Sequence, residues 1–125
     1  MYQIASRAMK ATYSAFADGP ATLAGLNRPN QAWPDGEGGV YIADSINNVI
    51  RRVVADGTIT LYAGLPPPAG ATFAGDGGPV SAARFNNPTG VTIDSVTGYM
   101  LGWRVRAICV RMSWLDPPVL HYCYP

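Results

Sequence analysis

The feature that most constrains the fold of this chain is a stretch of sequence that occurs twice. The stretch beginning at Gly19 reads GPATLAGLNRP, and the stretch beginning at Gly78 reads GPVSAARFNNP. Matched positions are 59 residues apart, and the match continues without a gap as far as Gly39 and Gly98. Such a repeat predicts a modular architecture in which one copy buries its apolar face by stacking against a neighbour.

The composition is that of a globular chain rich in turns. The chain has 125 residues, of which 48% are hydrophobic, 14 are Gly and 11 are Pro. This share of turn-forming residues is typical of many short strands. Nine basic and eight acidic residues give a formal net charge of +1. We therefore expect no nucleic-acid partner, because the chain offers no excess positive charge to hold a phosphate backbone.

Residues 31–63 predict a four-stranded antiparallel meander, which is the make-up of one propeller blade. Strands are expected at 31–33, 40–43, 49–54 and 58–63, from their β-branched and aromatic residues. Asp and Asn residues supply a turn at 44–48, and Asp56-Gly57 is a hairpin signal. The alternation over 58–63 predicts one buried and one wet sheet face. Trp33 and Tyr41 are expected to be core aromatic residues.

A resemblance to a known family rests on several of these motifs together. YIADSINNVIRR at 41–52, DGTI at 56–59, the Ala-Gly pair at 63–64 and GDGGP at 75–79 resemble an NHL repeat. The resemblance covers about residues 16–101, and the glycine-rich linker resembles that of teneurin-type, plant and algal NHL proteins. It implies an all-β fold made of β-propeller blades. Functions in this family are diverse, including interaction platforms, RNA binding and, in related six-bladed propellers, catalysis.

The resemblance divides the chain into segments. We expect the end of a preceding repeat or a linker at 1–17, and a first NHL-like repeat at 18–64. A Pro/Gly-rich connector follows at 65–78, the start of a second repeat at 79–101 and a divergent tail at 102–125. One full and two partial repeats are fewer than the four blades that close a propeller. We therefore expect an incomplete propeller, a fragment of a longer protein, whose unpaired blades make self-association plausible.

The candidate binding residues lie on the loops and on one strand. Asp44, Asn47 and Asn48 carry oxygen atoms that suit Ca²⁺, but the alternative is a tight turn in which Asp44 caps backbone amides, and we favour the turn. Asp76 lies in a glycine-rich turn without the Lys of a phosphate loop. Arg51 and Arg52 could contact an acidic partner. Their alternative, which we also favour, is a salt bridge between blades or a stem packed over apolar neighbours.

No catalytic, cofactor-binding or metal-binding residues are predicted. His121 is the only histidine, so it cannot supply the several His and acidic ligands of the propeller lyases that the fold resembles. Cys109 and Cys123 fit either a disulfide or two free thiols, of which we prefer the thiols. We expect a non-catalytic scaffold that binds a protein or a small ligand through its loops. The alternative is a fragment of a propeller hydrolase or lyase, gluconolactonase-like or amidating-lyase-like, whose catalytic residues lie in missing blades. No signal peptide or membrane span is apparent in the sequence, and the compartment is left open.

Overall fold

The computed structural model describes residues 18–66, 74–75 and 78–93 with their side chains, and the backbone of residues 99–103 and 107–111. This part of the chain is all-β, apart from one short 3₁₀ turn at Val80–Ala82. In these ranges no helix has the length and apolar character needed to cross a bilayer. The strands are β1 (Gly19–Pro20), β2 (Pro29–Pro34), β3 (Val40–Asp44), β4 (Val49–Val53), β5 (Thr58–Gly64), β6 (Gly90–Ile93), β7 (Tyr99–Trp103) and β8 (Ala107–Arg111).

The first sheet is an open antiparallel sheet with the strand order β1-β5-β4-β3-β2. Its strands β2 to β5 form the predicted four-stranded meander, with bounds within two residues of those expected. The Asp56-Gly57 hairpin is confirmed: the Val54 N–H donates to the Thr58 carbonyl, and the Gly57 N–H to the Val54 carbonyl. The two-residue strand β1 adds an edge that the sequence did not indicate.

Both faces of this sheet carry a core, so the expectation of one wet face was wrong. β5 contributes to both cores because it carries a bulge: Leu61 lies opposite Arg51 while Ala63 lies opposite Ile50, which leaves one extra residue between them. Alternation therefore changes phase within the strand. We call the two sides face A and face B. Face A carries Tyr41, Ala43, Ile50 and Ala63, and face B carries Val40, Ile42, Val53 and Ile59.

The two faces are covered by matched segments of the two repeat copies. On face B, Ala24 and Leu26 of the first copy pack against their own sheet. On face A, the matched residues of the second copy, Ala83 and Phe85, pack with Val91. The repeat segment that contains Ala24 and Leu26 in the first copy, and Ala83 and Phe85 in the second, therefore covers opposite faces of the first sheet. We call this segment the wedge.

The second sheet repeats the order of the first, with β6 paired to β7 and β7 to β8. β6 and β7 fall where the second copy predicted strands. No strand was expected over 107–111, yet the β8 backbone pairs with β7 from Tyr99–Arg111 to Trp103–Ala107. The run Ala-Ile-Cys-Val-Arg has enough β-branched character to extend the ladder. The chain therefore keeps the meander geometry beyond the point at which its residues stop matching the first copy.

Of the two aromatic residues expected in the core, Tyr41 is buried and Trp33 is not. Tyr41 is 2% exposed and packs edge-on against Tyr62, with ring centroids 4.7 Å apart. Trp33 is 37% exposed, so the expectation that it is a core residue was wrong. Trp33 lies opposite Tyr41 on face A, but on β2 at the edge of the sheet, where there are neighbours on one side only.

Candidate functional site

The predicted polar turn lies at one end of the first sheet, and its carboxylate is fully buried. Asp44 ends β3 with no exposed surface. Its Oδ1 accepts the Asn27 N–H at 2.6 Å, and its Oδ2 accepts the Asn47 side-chain amide at 2.7 Å. Residues 45–48 form the expected turn, but the backbone amide that Asp44 caps belongs to Asn27, 17 residues upstream, rather than to the turn itself. Among the described residues no group of three or more His, Cys, Asp or Glu side chains could hold a metal ion.

Asp44 shares face B with a buried guanidinium. Arg51 has no exposed surface; its Nε donates to the Thr60 carbonyl at 3.2 Å, and its NH2 donates to Asp18 Oδ1 at 3.0 Å. Burial lowers the pKa of Arg51, opposed by the charges of Asp18 and Asp44. Burial raises the pKa of Asp44, against the hydrogen bonds from Asn47 and Asn27 and the charge of Arg51. Both groups therefore belong to the interior of the first copy.

The same turn joins the two repeat copies. The Ser45 hydroxyl donates to the Pro88 carbonyl, and Asn48 Oδ1 accepts the Asn87 N–H at 2.8 Å. Ser45 is 1% exposed and also accepts the Asn30 side-chain amide at 2.7 Å. These two cross-copy bonds satisfy the backbone groups where the second copy begins β6. We call Ser45 and Asn48 the junction turn.

A third cross-copy bond lies on the edge strands. Gln31 on β2 accepts the Val91 N–H of β6 through its Oε1, at 3.0 Å. Since β2 and β6 are the edge strands of their sheets, the first meander strands of the two copies lie next to each other. Ser45, Asn48 and Gln31 therefore hold the second copy, whereas Asp44 and Asn47 bond within the first copy.

The second copy lacks the residues of the junction turn. At the positions that match Asp44, Ser45 and Asn48, the sequence has Trp103, Arg104 and Ala107. The connection between β7 and β8 is also one residue shorter than that between β3 and β4. The junction turn is thus a property of one copy.

Arg52 lies at the opposite end of the sheet, beside the β2–β3 hairpin. Its NH2 donates to Asp35 Oδ2 and to Glu37 Oε2, both at 2.8 Å, and its guanidinium lies 5.5 Å from the Tyr41 ring centroid. These ion pairs are within one copy rather than between blades, while the packing over an aromatic neighbour agrees with the favoured alternative. The Arg52 side chain keeps 24% of its surface exposed, and Glu37 keeps 78%.

Asp35 shapes this hairpin. Its Oδ1 accepts the N–H groups of Glu37 and Gly39, each at 2.8 Å, and its side chain is 1% exposed. Burial by itself would raise the pKa of Asp35, but the Arg52 hydrogen bond, the two backbone N–H bonds and the charge of Arg52 together lower it. The hydrogen bond to Asp35 in turn raises the pKa of Arg52.

Sequence reasoning singled out some of these residues and missed others. Asp44, Asn47, Asn48, Arg51 and Arg52 are placed above, whereas Asp76 and the side chains of Cys109 and Cys123 lie outside the described part of the chain. Ser45, Gln31 and Asp35 were not proposed as site residues. A signal existed for one of them: the spacing of Asp35, Gly39 and Arg52 recurs as Asp94, Gly98 and Arg111.

The fold and its junction define a class: an all-β protein built from successive antiparallel sheets that stack by a repeated segment. No protein-family model matches the chain, and no curated protein sequence matches it. Several solved structures match the chain in fold. An auxiliary nutrient binding protein from Bacteroides thetaiotaomicron VPI-5482 matches 72% of this chain at 22% identity with a TM-score of 0.53. An auxiliary nutrient binding protein from Bacteroides ovatus ATCC 8483 matches 75% at 23% identity with a TM-score of 0.52. The matches span 23% and 25% of those proteins, so this chain corresponds to about a quarter of their length.

Proposed function

We propose that this chain is a non-catalytic segment of an NHL-type β-propeller that binds a protein or a small ligand through its loops. This proposal rests on a difference between the two ends of the first sheet in how far their polar side chains are buried and bonded. At the junction end, Ser45 and Asn48 bond to the second copy, and Asp44 and Asn47 bond within the first copy. At the hairpin end, Trp33, Glu37 and Arg52 keep exposed surface beside a rigid Asp35 turn. Loops held on a rigid scaffold are the usual place for binding residues.

The propeller part of the proposal is supported by the stacking of the sheets. A blade packs against other structure on both of its faces, and the first sheet has a core on each. The second copy packs against face A, and the matched wedge packs against face B. The first strands of the two meanders lie next to each other, as the strands nearest to a shared axis would.

The non-catalytic part rests on the state of the acidic residues. Oxygen atoms of Asp35 and Asp44 accept hydrogen bonds from backbone N–H groups and side chains of the first copy. A carboxylate committed to such bonds is poorly placed to exchange protons with a substrate. The solved structures with a similar fold are named as nutrient binding proteins, which supports a binding role.

Titration of the intact chain with defined neutral oligosaccharides and short peptides tests this function, with the heat of binding in isothermal titration calorimetry as the readout. We expect a saturable change with at least one compound, and its loss in Trp33→Phe and Glu37→Gln. Leu61→Ala is the matched control, because Leu61 is also 37% exposed but lies opposite Arg51, away from the hairpin. No saturable change with any compound, or an equal loss in the control, would contradict binding at the hairpin end.

A further inference from the structure

Matched residues of the two copies differ in burial along their first meander strands. Val91 on β6 is fully buried, whereas Ala32, its counterpart on β2, is exposed. Pro88 is buried, and its counterpart Pro29 is only half-buried. The same repeat surface is therefore covered in one copy and open in the other.

The structure shows what covers this surface in the second copy. Val91 packs against face A of the first sheet, in one cluster with Tyr41, Ile50 and Phe85. Its N–H donates to Gln31, and the junction turn binds the segment just before it. Burial of the second copy thus needs two things from its neighbour, which are an apolar face A and a junction turn.

The first copy offers a surface of the same geometry. Ala32 lies opposite Ile42, so its side chain is on face B, as expected for a residue that would stack on a further sheet. Arg28 has the left-handed backbone of its counterpart Asn87, with φ of 52° and 55°. The chain therefore enters β2 with the same bend with which it enters β6. We call Arg28, Pro29, Ala32 and Pro34 the β2 surface.

We propose that the β2 surface is a docking site for face A and the junction turn of another repeat sheet of the same kind. This inference rests on the proposed function and extends it by naming the partner. The partner must carry a Ser-x-x-Asn turn beside a face of small and aromatic residues, because these groups hold the second copy on the first sheet. The second sheet of this chain does not meet the requirement, since Arg104 and Ala107 replace the Ser and the Asn.

The proposal sets conditions for association between copies of the chain. In the wild type, face A and the junction turn of the first sheet are occupied by the second copy. Two chains can therefore associate through the β2 surface only when the second copy leaves face A. The resulting contact is head-to-tail, because it joins two different surfaces.

The variant Val91→Asp is expected to release the second copy from face A, because it would place a charge in an apolar contact. Size-exclusion chromatography with light scattering, on the full chain, measures association. We expect wild type to stay monomeric and Val91→Asp to form oligomers that grow with concentration. Adding wild type should shorten them, because it offers a β2 surface without an open face A.

The control places an Asp at position 32, which corresponds to position 91 in the other copy. Ala32→Asp alone should leave the circular dichroism unchanged, because Ala32 is exposed, and Ala32→Asp/Val91→Asp should be monomeric. A monomeric Val91→Asp that keeps its β signal would overturn the proposal, as would a double variant that associates as strongly as Val91→Asp. If Val91→Asp loses its β signal, Val91→Ala with the same control gives the same comparison. Ligand titration stays a separate readout, so a failure here is distinguishable from a failure of the hairpin-end function.

Discussion

Arg28 and Asn87, 59 residues apart, adopt the same left-handed backbone conformation, with φ of 52° and 55°. Few residues other than glycine occupy this region, and Arg is not among the types that favour it. The conformation is therefore imposed by the surrounding structure rather than by the residue. Its recurrence at matched positions indicates that the repeat preserves backbone geometry more closely than side-chain type.

A second match supports this view at the wedge segment. The Leu23 N–H donates to the Pro20 carbonyl at 2.9 Å, and the Ala82 N–H donates to the Pro79 carbonyl at the same distance. Only the second of these turns extends into a 3₁₀ turn. Equal hydrogen bonds with different central residues indicate that the repeat preserves this turn.

Replacing Asn48 separates its two roles in the junction. Asn48→Gly removes the bond to the Asn87 N–H but tolerates the φ of 58°, and should lower the free energy of unfolding by about 1 kcal/mol. Asn48→Ala loses the same bond and adds a cost of about 1–2 kcal/mol for the left-handed backbone. Urea unfolding followed by circular dichroism measures both. Equal stability of the two variants would contradict the backbone part of this account.

Asp35 and Glu37 both pair with Arg52 but should differ in their contribution to stability. Asp35→Asn replaces a buried charged acceptor and should cost about 1.5–3 kcal/mol. Glu37→Gln alters an exposed ion pair and should cost between about 0 and 1 kcal/mol. The two variants are matched in chemistry, since each changes a carboxylate to its amide. A larger loss for Glu37→Gln in urea unfolding would disprove this ranking.

Gly39 is required because its neighbours leave no space for a Cβ atom. A Cβ on Gly39 would collide with the Val53 carbonyl oxygen and with the Asp35 carboxylate. Gly39→Ala should therefore lower stability by about 1–3 kcal/mol. Gly36→Asn is the control in the same hairpin, because a Cβ on Gly36 meets nothing within 4 Å and Asn tolerates its positive φ. Similar thermal midpoints for the two variants would refute the steric argument.

The two buried aspartates should respond to pH in opposite directions. The pKa of Asp35 is below 3.8, so its contribution to stability is present above that value and is lost as the pH falls through its folded-state pKa. The pKa of Asp44 is above 3.8, so its contribution is present at acid pH and is lost as the pH rises through its folded-state pKa.

Replacing each aspartate by asparagine should remove its contribution to the pH dependence of the free energy of unfolding. In urea unfolding between about pH 2.5 and about pH 7, Asp35→Asn should remove the loss of stability on the acid side, and Asp44→Asn should remove the loss of stability as the pH rises above 3.8. Unchanged slopes in both variants would show that these carboxylates do not set the pH dependence of folding.

The strands of the first sheet could be predicted because their runs of β-branched and aromatic residues are separated by turn formers. The bulge in β5 could not be predicted, because Leu61 and Ala63 keep an unbroken alternation in the sequence while their partners on β4 shift by one. The exposure of Trp33 also escaped prediction, since strand order, and not residue type, puts β2 at an edge.

The candidate site was predicted only in part. The Asp44 turn was visible from its residue types, which favour turns, although their side chains bond to distant groups. The role of Ser45 depends on Pro88, 43 residues later in the chain, and nothing local to a serine in a turn indicates such a bond. Arg51 and Arg52 are neighbours in sequence, and the pleat alone decides that one is buried between carboxylates and the other reaches the hairpin.

The bulge gives β5 a place in both interfaces of the first sheet. Ile59, before the bulge, belongs to the cluster that holds the wedge on face B, while Ala63, after it, belongs to the cluster that holds the second copy on face A. The two faces of the first sheet are therefore joined within one seven-residue strand, and a substitution at the bulge is expected to disturb the packing of both clusters.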